Sequence, residues 1–304
     1  MNTIKTKKVT WIDLKNPGKK DLDYLKNNFD FHPITLGELL SPTLRHKVEH
    51  YDHYLYMVIH FPIYKPKKRA NESIELDILI TQNTFITVHY EDLPSLREFW
   101  FKCQRDKSIQ EYNFGKTPAF LLYSLLEYLY DFSLRQIDHL TKKINQIEEK
   151  MFEEKGSEEM VGRISLARRD VLDFQKTINP QKSILDSLKT RGIELFGKEM
   201  EPYFMDVLGS YLRIWNLLEN HKETIQTLRE TNDSLVSNKT NRIIRILTIF
   251  SVIVFPLTLL ASLFGMNTNY LPFVGCEYDF WIVFGFMLIA TTGMLAICIR
   301  EKWL

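Results

Sequence analysis

Residues 246–266 and 280–299 run for 21 and 20 positions without one Asp, Glu, Lys, Arg or His. As helices, both are long enough to cross a bilayer core of roughly 30 Å. A buried helix of a soluble core is the competing reading, but two such runs, paired and close together, read as transmembrane helices. Averages hide them: 45% hydrophobic, 25% charged, a net charge of +1 and a mean hydropathy of -0.19 describe an ordinary soluble chain. The charge is segregated. Of 39 basic and 38 acidic side chains, only Glu277, Asp279, Arg300, Glu301 and Lys302 lie beyond residue 245.

Orientation follows from the positive-inside rule, because Lys239, Arg242 and Arg245 precede the first span, Arg300 and Lys302 follow the second, and the connecting segment 267–279 has neither Lys nor Arg. Both termini are expected in the cytoplasm. The lysine-rich first 20 residues contain no apolar core of a cleavable signal. Near-neutral charge argues against nucleic-acid binding, which needs a basic surplus. Cys103, Cys276 and Cys298 are too scattered for a disulfide framework or a CxxC metal knuckle. No nucleophile-base pair or phosphate loop points to an enzyme, and no organic cofactor is expected.

Residues 1–115 alternate β-branched and aromatic runs (9–14, 53–63, 74–80, 84–89) with short helical patterns (21–28, 33–40, 93–103), which predicts a cytosolic α/β domain. Residues 116–242 turn helical: a hairpin of two long helices, 119–154 and 158–189, broken at Gly156-Ser157, then a third helix from about residue 202 into the first span. Residues 243–304 form the membrane region. Along the third helix Val207, Tyr211, Ile214, Leu218, His221, Ile225, Leu228, Asn232 and Leu235 recur at alternating four and three, a heptad seam that suggests self-association. His46, His50 and His53 cluster locally, but the neighbouring segment turns into a strand, and a metal role is the lesser reading.

The first span carries Thr248, Ser251, Thr258 and Ser262 on one stripe about 80° wide, at roughly 100° per residue, with Asn241, Ile244 and Phe255 on or beside it. Hydroxyls in membrane helices often bond to their own backbone, yet four in line favour a polar pathway. Two spans cannot enclose one, so several copies must surround an axis. Pro256 removes a backbone hydrogen bond in mid-span.

The span closes on Gly265-Met266-Asn267, and here the chain resembles the CorA family of divalent-cation transporters. Ser237-Asn238-Lys239-Thr240-Asn241, Leu247-Thr248-Ile249 and Pro256-Leu257-Thr258 are similar to that family's first span at the same offsets. Tyr203-Phe204-Met205-Asp206-Val207, Thr177-Ile178-Asn179-Pro180, Leu121-Leu122-Tyr123-Ser124-Leu125, His32-Pro33 with Glu38, and Lys47-Val48-Glu49 look like its cytosolic segments. The resemblance covers nearly the whole chain. It implies an α+β membrane protein whose stalk helix continues into the first of two transmembrane helices, assembled as a funnel-shaped homopentamer in the cell membrane.

The resemblance further implies passive uptake of hydrated magnesium, with cobalt or nickel as further substrates. Pore-lining positions would be Asn241, Ile244, Leu247, Ser251, Phe255, Thr258 and Ser262, with Ile244 and Leu247 as the apolar gate. Gly265, Met266 and Asn267 would form the selectivity mouth, where neutral oxygens hold an ion that gives up water reluctantly. Cytosolic magnesium would act at subunit interfaces through Glu38 and Asp206. Two departures matter. The family's loop glutamate is replaced in Leu271-Pro272-Phe273-Val274, leaving Glu277 and Asp279 as the outer-loop acids, and Gly37 stands where an acid often accompanies the sensor carboxylate. A zinc transporter of the same fold and a non-conducting membrane-anchored sensor or scaffold are the alternative readings.

Overall fold

The computed structural model describes residues 1–43, 45–65, 68, 70–153, 157–266 and 277–301, without the side chains of Glu158 and Asp279. It divides into two compact units, Met1–Glu153 with Glu158–Arg229, and Glu154–Ser157 with Glu230–Leu304.

The first unit opens with β1 (Asn2–Lys5), β2 (Thr10–Lys15), α1 (Lys19–Asn28), α2 (Pro33–Glu38), β3 (Lys47–Tyr51), β4 (Tyr54–Lys65), β5 (Ala70–Ile80) and β6 (Thr84–His89). The strands form one sheet in the order β1-β2-β6-β5-β4-β3. Only β2 and β6 pair in parallel, Thr10 opposite Thr84 through Lys15 opposite His89. Strands β1 and β3 were not expected from the alternation, being short and polar at the sheet's edges.

Alternate residues of each strand point to opposite faces. Ile12, Leu14, Tyr54, Tyr56, Val58, Leu79, Ile86 and Val88 pack on one face with Leu25 of α1 and Leu39 beyond α2. On the other, Trp11, Leu55, Met57, Ile59, Phe61, Ile78 and Phe85 pack against helices. Both faces are covered, so ten consecutive residues of β4 are buried.

Those covering helices are α3 (Pro94–Arg105), α4 (Lys107–Phe114), α5 (Pro118–Glu153) and α6 (Glu158–Ile178), followed by α7 (Gln181–Ser187), a π turn at Leu188–Gly192, α8 (Ile193–Phe196) and α9 (Glu201–Phe264). The expected helix over 158–189 is therefore broken. Pro180 lacks the N–H for an i−4 bond and caps α7 instead, and Gly197 takes a φ of 95°, where a side chain is disfavoured.

The heptad seam is corrected by its surroundings. Val207, Tyr211, Ile214 and Leu218 belong to the same core as Leu125 and Ile137 of α5 and Phe174 of α6. The polar seam residue His221 meets Thr141 of α5 at 2.8 Å, and burial pushes its imidazole below the ordinary value. The spacing announced one buried face, but the chain's own hairpin fills it. From Val207 to Leu228 the seam's apolar residues are buried within the chain and not offered to a second copy. In the second unit, Asn232 accepts from the Ser157 N–H at 3.3 Å.

The second unit holds the end of α9 and α10 (Asp279–Arg300). Two helices among the described residues are long and apolar enough to span a membrane, within Lys198–Phe264 and Phe280–Arg300. Their apolar windows are 0% and 6% buried, which removes the soluble-core reading.

Candidate ion pathway and sensor carboxylates

Helix α9 arranges the candidate pathway through its period. Ile244, Leu247, Thr248, Ser251, Val252, Phe255 and Pro256 surround an open, mostly apolar depression on the helix surface. Ile244, Leu247 and Phe255 are exposed by 54%, 59% and 72%, so protein within this chain does not cover them. Asn241, Thr258 and Ser262 are exposed on the same helix outside the depression. Thr248, Ser251 and Thr258 donate to the carbonyls of Ile244, Leu247 and Val254 at 2.8, 2.9 and 2.8 Å. The back-bonding alternative is thus realised in geometry, yet each hydroxyl oxygen keeps acceptor capacity for a passing water shell.

At the end of α9 the Gly265 N–H donates to the Ala261 carbonyl at 2.9 Å, and Met266 to Leu263 at 3.4 Å. Gly265 does not adopt a positive φ, so a left-handed cap is not what its missing side chain permits. A Cβ there would lie 3.1 Å from the Ala261 oxygen. Asn267 lies outside the described residues, as does most of the connecting segment. Glu277 is exposed, and Asp279 opens α10, its side chain undescribed. Tyr278, Phe280 and Trp281, each exposed by at least 66%, begin that helix as an aromatic belt suited to a membrane interface.

The sensor candidates sit in the first unit. Glu38 ends α2, and its Oε2 accepts from Lys47 Nζ at 2.5 Å. Lys47 also lies 3.0 Å from Glu49 Oε1 and 4.7 Å from the centre of the Tyr56 ring. Burial opposes its charge, but hydrogen bonds to both glutamates outweigh that and hold its pKa above the ordinary lysine value. Asp206, exposed on α9, accepts from the Tyr123 hydroxyl of α5 at 2.9 Å. Burial first, then this bond, raises the Tyr123 pKa.

The structure brings in one acid that spacing alone did not single out. Glu127 lies one helical turn beyond Tyr123, with Oε2 accepting from Ser210 at 3.2 Å and Oε1 buried without a partner. Burial raises its pKa, and the Asp206 charge adds to the rise. Its signal in the sequence was weak: one glutamate among the apolar residues of a helix face.

The histidine cluster does not assemble. The His46 ring leaves it to lie tilted against His60, 4.2 Å between ring centres, where burial lowers its pKa to about 4, while His50 and His53 are exposed. His46 precedes β3, His50 lies on it and His53 sits in the turn to β4, so no helical turn aligns them. Among the described residues, no three His, Cys, Asp or Glu side chains are grouped to hold a metal ion.

Residues 6–300 match the sequence model described as CorA-like Mg2+ transporter protein. The chain belongs to that family. It is 29% identical over 300 residues to the cobalt/magnesium transport protein CorA of Thermotoga maritima, covering 97% of this chain and 83% of the relative. The full CorA magnesium transporter of Methanocaldococcus jannaschii has the same fold, with a TM-score of 0.82 at 21% identity, covering 100% of this chain and 95% of that one. The cytoplasmic domain of ZntB from Vibrio parahaemolyticus shares the fold, with a TM-score of 0.62 at 15% identity over 78% of this chain and 90% of that one. The protein is a divalent-cation transporter of the CorA family, a membrane protein and not an enzyme, and magnesium is the ion its family implies.

Proposed function

We propose that this chain forms a homopentameric channel for passive uptake of hydrated magnesium, with cobalt or nickel as further substrates. The observation that carries the reading is the exposed face of α9, where Ile244, Leu247, Ser251 and Phe255 border one depression on a helix that ends beside Gly265. Apolar side chains on such a face need lipid or other copies to cover them. Arranged around an axis, Ile244 and Leu247 make an apolar constriction that gates by excluding water. Asn241, Ser251, Thr258 and Ser262 offer neutral oxygens at other levels. Gly265, Met266 and Asn267 form the outer mouth, with Glu277 and Asp279 drawing cations toward it. Both termini lie in the cytoplasm in this reading, supported by Lys239, Arg242 and Arg245 before the first span and Arg300 and Lys302 after the second.

In this reading 1–115 and 116–242 act as the cytosolic sensor, and 243–304 as the pathway. Glu38 and Asp206 bind the regulatory ion between neighbouring subunits. Carboxylate oxygens suit magnesium, which keeps several of its waters and takes only one or two carboxylates; in this reading Glu38 comes from one copy and Asp206 from the next. Magnesium bound there stabilises the closed state until its concentration falls.

Flux into liposomes, measured for each divalent ion with internal magnesium varied, tests this. Magnesium should pass at low internal magnesium and stop at high. Glu38→Gln with Asp206→Asn should keep transport active at high internal magnesium, and unchanged inhibition would remove both residues from the sensor. The loop sequence Leu271-Pro272-Phe273-Val274 favours a second reading, zinc transport by the same fold. Zinc flux that magnesium does not compete would establish it. Absence of any divalent flux would leave a membrane-anchored scaffold.

A further inference from the structure

The two carboxylates on either side of Lys47 are not equivalent, and the register of the sheet explains how they share it. Lys47 and Glu49 stand two residues apart on β3, opposite Val58 and Tyr56 of β4, so their side chains project from the same face. That face also carries Tyr56, whose ring lies under the ammonium. Glu38 reaches the same ammonium from α2. The Lys47 side chain is only 17% exposed, which confines its charged end to the space between Glu38 and Glu49.

The local charges do not cancel. One ammonium serves two carboxylates, and Glu75 of β5, two strands away from β3, is occupied elsewhere. Glu75 has its own partners, the His60 ring at 3.2 Å and the Thr43 N–H at 2.6 Å. Glu49 is further anchored by the Tyr51 hydroxyl at 3.1 Å. It keeps this partner whether or not Lys47 leaves Glu38.

We propose that Lys47 is a tethered counter-cation that competes with a divalent ion for Glu38 and moves its ammonium wholly onto Glu49 when the ion binds. This rests on the assignment of Glu38 to the regulatory site. An ammonium already on the carboxylate must be displaced before the ion can use both oxygens, and it then remains a few ångströms away as a like charge. Both effects weaken ion binding, which raises the concentration at which the transporter closes. Glu49 keeps the cost of displacement small, since the ammonium changes partners without becoming an unpaired charge in a confined space.

Removing Lys47 and removing Glu49 thus have opposite expected effects. Lys47→Met keeps the length of the side chain and removes the competitor, so the ion should bind about tenfold more tightly. Glu49→Gln removes the second partner, leaving Lys47 on Glu38, and binding should weaken several-fold. Lys47→Arg should stay within about twofold of the parent. The primary readout is the magnesium concentration giving half of the thermal stabilisation of the purified full-length protein. The internal magnesium concentration that halves flux in liposomes is the second.

Opposite shifts for Lys47→Met and Glu49→Gln, in both measurements, would support the relay. Shifts in the same direction, or none, with Glu38→Gln abolishing the magnesium response, would overturn the relay and leave Glu38 as a sensor. A magnesium response that survives Glu38→Gln would overturn the sensor assignment and the relay with it. Should Lys47→Met fail to fold, judged by its melting without magnesium, Glu49→Gln decides alone: tighter or unchanged binding refutes the relay.

Discussion

Asp77→Asn should stabilise the protein by an amount that grows with pH. Asp77 lies fully buried in the middle of β5, opposite Val58 and Val88. Its Oδ2 accepts from the Tyr90 hydroxyl at 3.0 Å, and its Oδ1 has no partner. Burial first, and the Glu75 charge second, push its pKa from 3.8 up to about 8. Below pH 3.8 folded and unfolded chains both carry the proton, and Asp77 exacts no pH-dependent cost. Between 3.8 and 8 the unfolded chain releases it while the folded chain retains it, so stability falls by about 1.4 kcal/mol per pH unit. At pH 7 the accumulated loss has a ceiling of about 4 kcal/mol; above pH 8 it stops growing. Asparagine cannot ionise and can still accept from Tyr90, although its amide must find a partner, which adds a pH-independent cost. The slope is therefore the test. Melting followed by intrinsic fluorescence on the detergent-solubilised protein from pH 5 to 8.5 should show the variant gaining several degrees on the parent across the range. A difference that stays constant with pH would refute the assignment of a protonated Asp77.

Three further substitutions and reactions follow from the geometry. Leu218→Ala, at a fully buried seam position, should cost about 2–5 kcal/mol and lower the melting temperature, with the oligomer mass unchanged by light scattering; loss of the oligomer without a change in melting would restore the seam as an interface. Gly265→Ala places a methyl group 3.1 Å from the Ala261 oxygen, and liposome flux should fall at least tenfold at unchanged protein yield, whereas flux within twofold of the parent would separate Gly265 from the mouth. Cys103 is fully buried, and burial pushes its thiol up to about 12; in a variant with Cys276 and Cys298 replaced by serine, maleimide at pH 7.5 should label it only after denaturation, as peptide mass mapping would show.

The legible parts of the chain were those where the local pattern leaves one physical solution. Long uncharged runs leave little besides membrane helices, and the exposed apolar surface of α10 and the end of α9 agrees with that. Alternation gave the central strands β2, β4, β5 and β6, but β1 and β3 lie at edges where polar residues are tolerated and the period weakens. A three-four repeat identified α5 and α9 without naming what their faces bury against. The three-four pattern over 158–189 runs through Pro180, where the missing N–H ends one helix and starts the next.

For the site, resemblance placed Glu38 and Asp206, while only packing revealed what holds them: Lys47 on the first, Tyr123 on the second, and Glu127 beside it. These partners are separated by 9, 83 and 79 positions from the carboxylate they meet, distances over which no periodicity carries information.

The sequence by itself determined the class of protein, because charge cannot be hidden in a bilayer and a run of 20 uncharged residues is a statement about solvent. It also determined which face of each long helix is apolar. The tertiary structure decided the partners: it turned the seam inward onto the hairpin, set Lys47 between two glutamates, and left the Ile244–Leu247–Ser251–Phe255 face of α9 uncovered. The reason is that burial is a property of a surface and recognition is a property of two, and the second surface is brought by the fold from elsewhere in the chain.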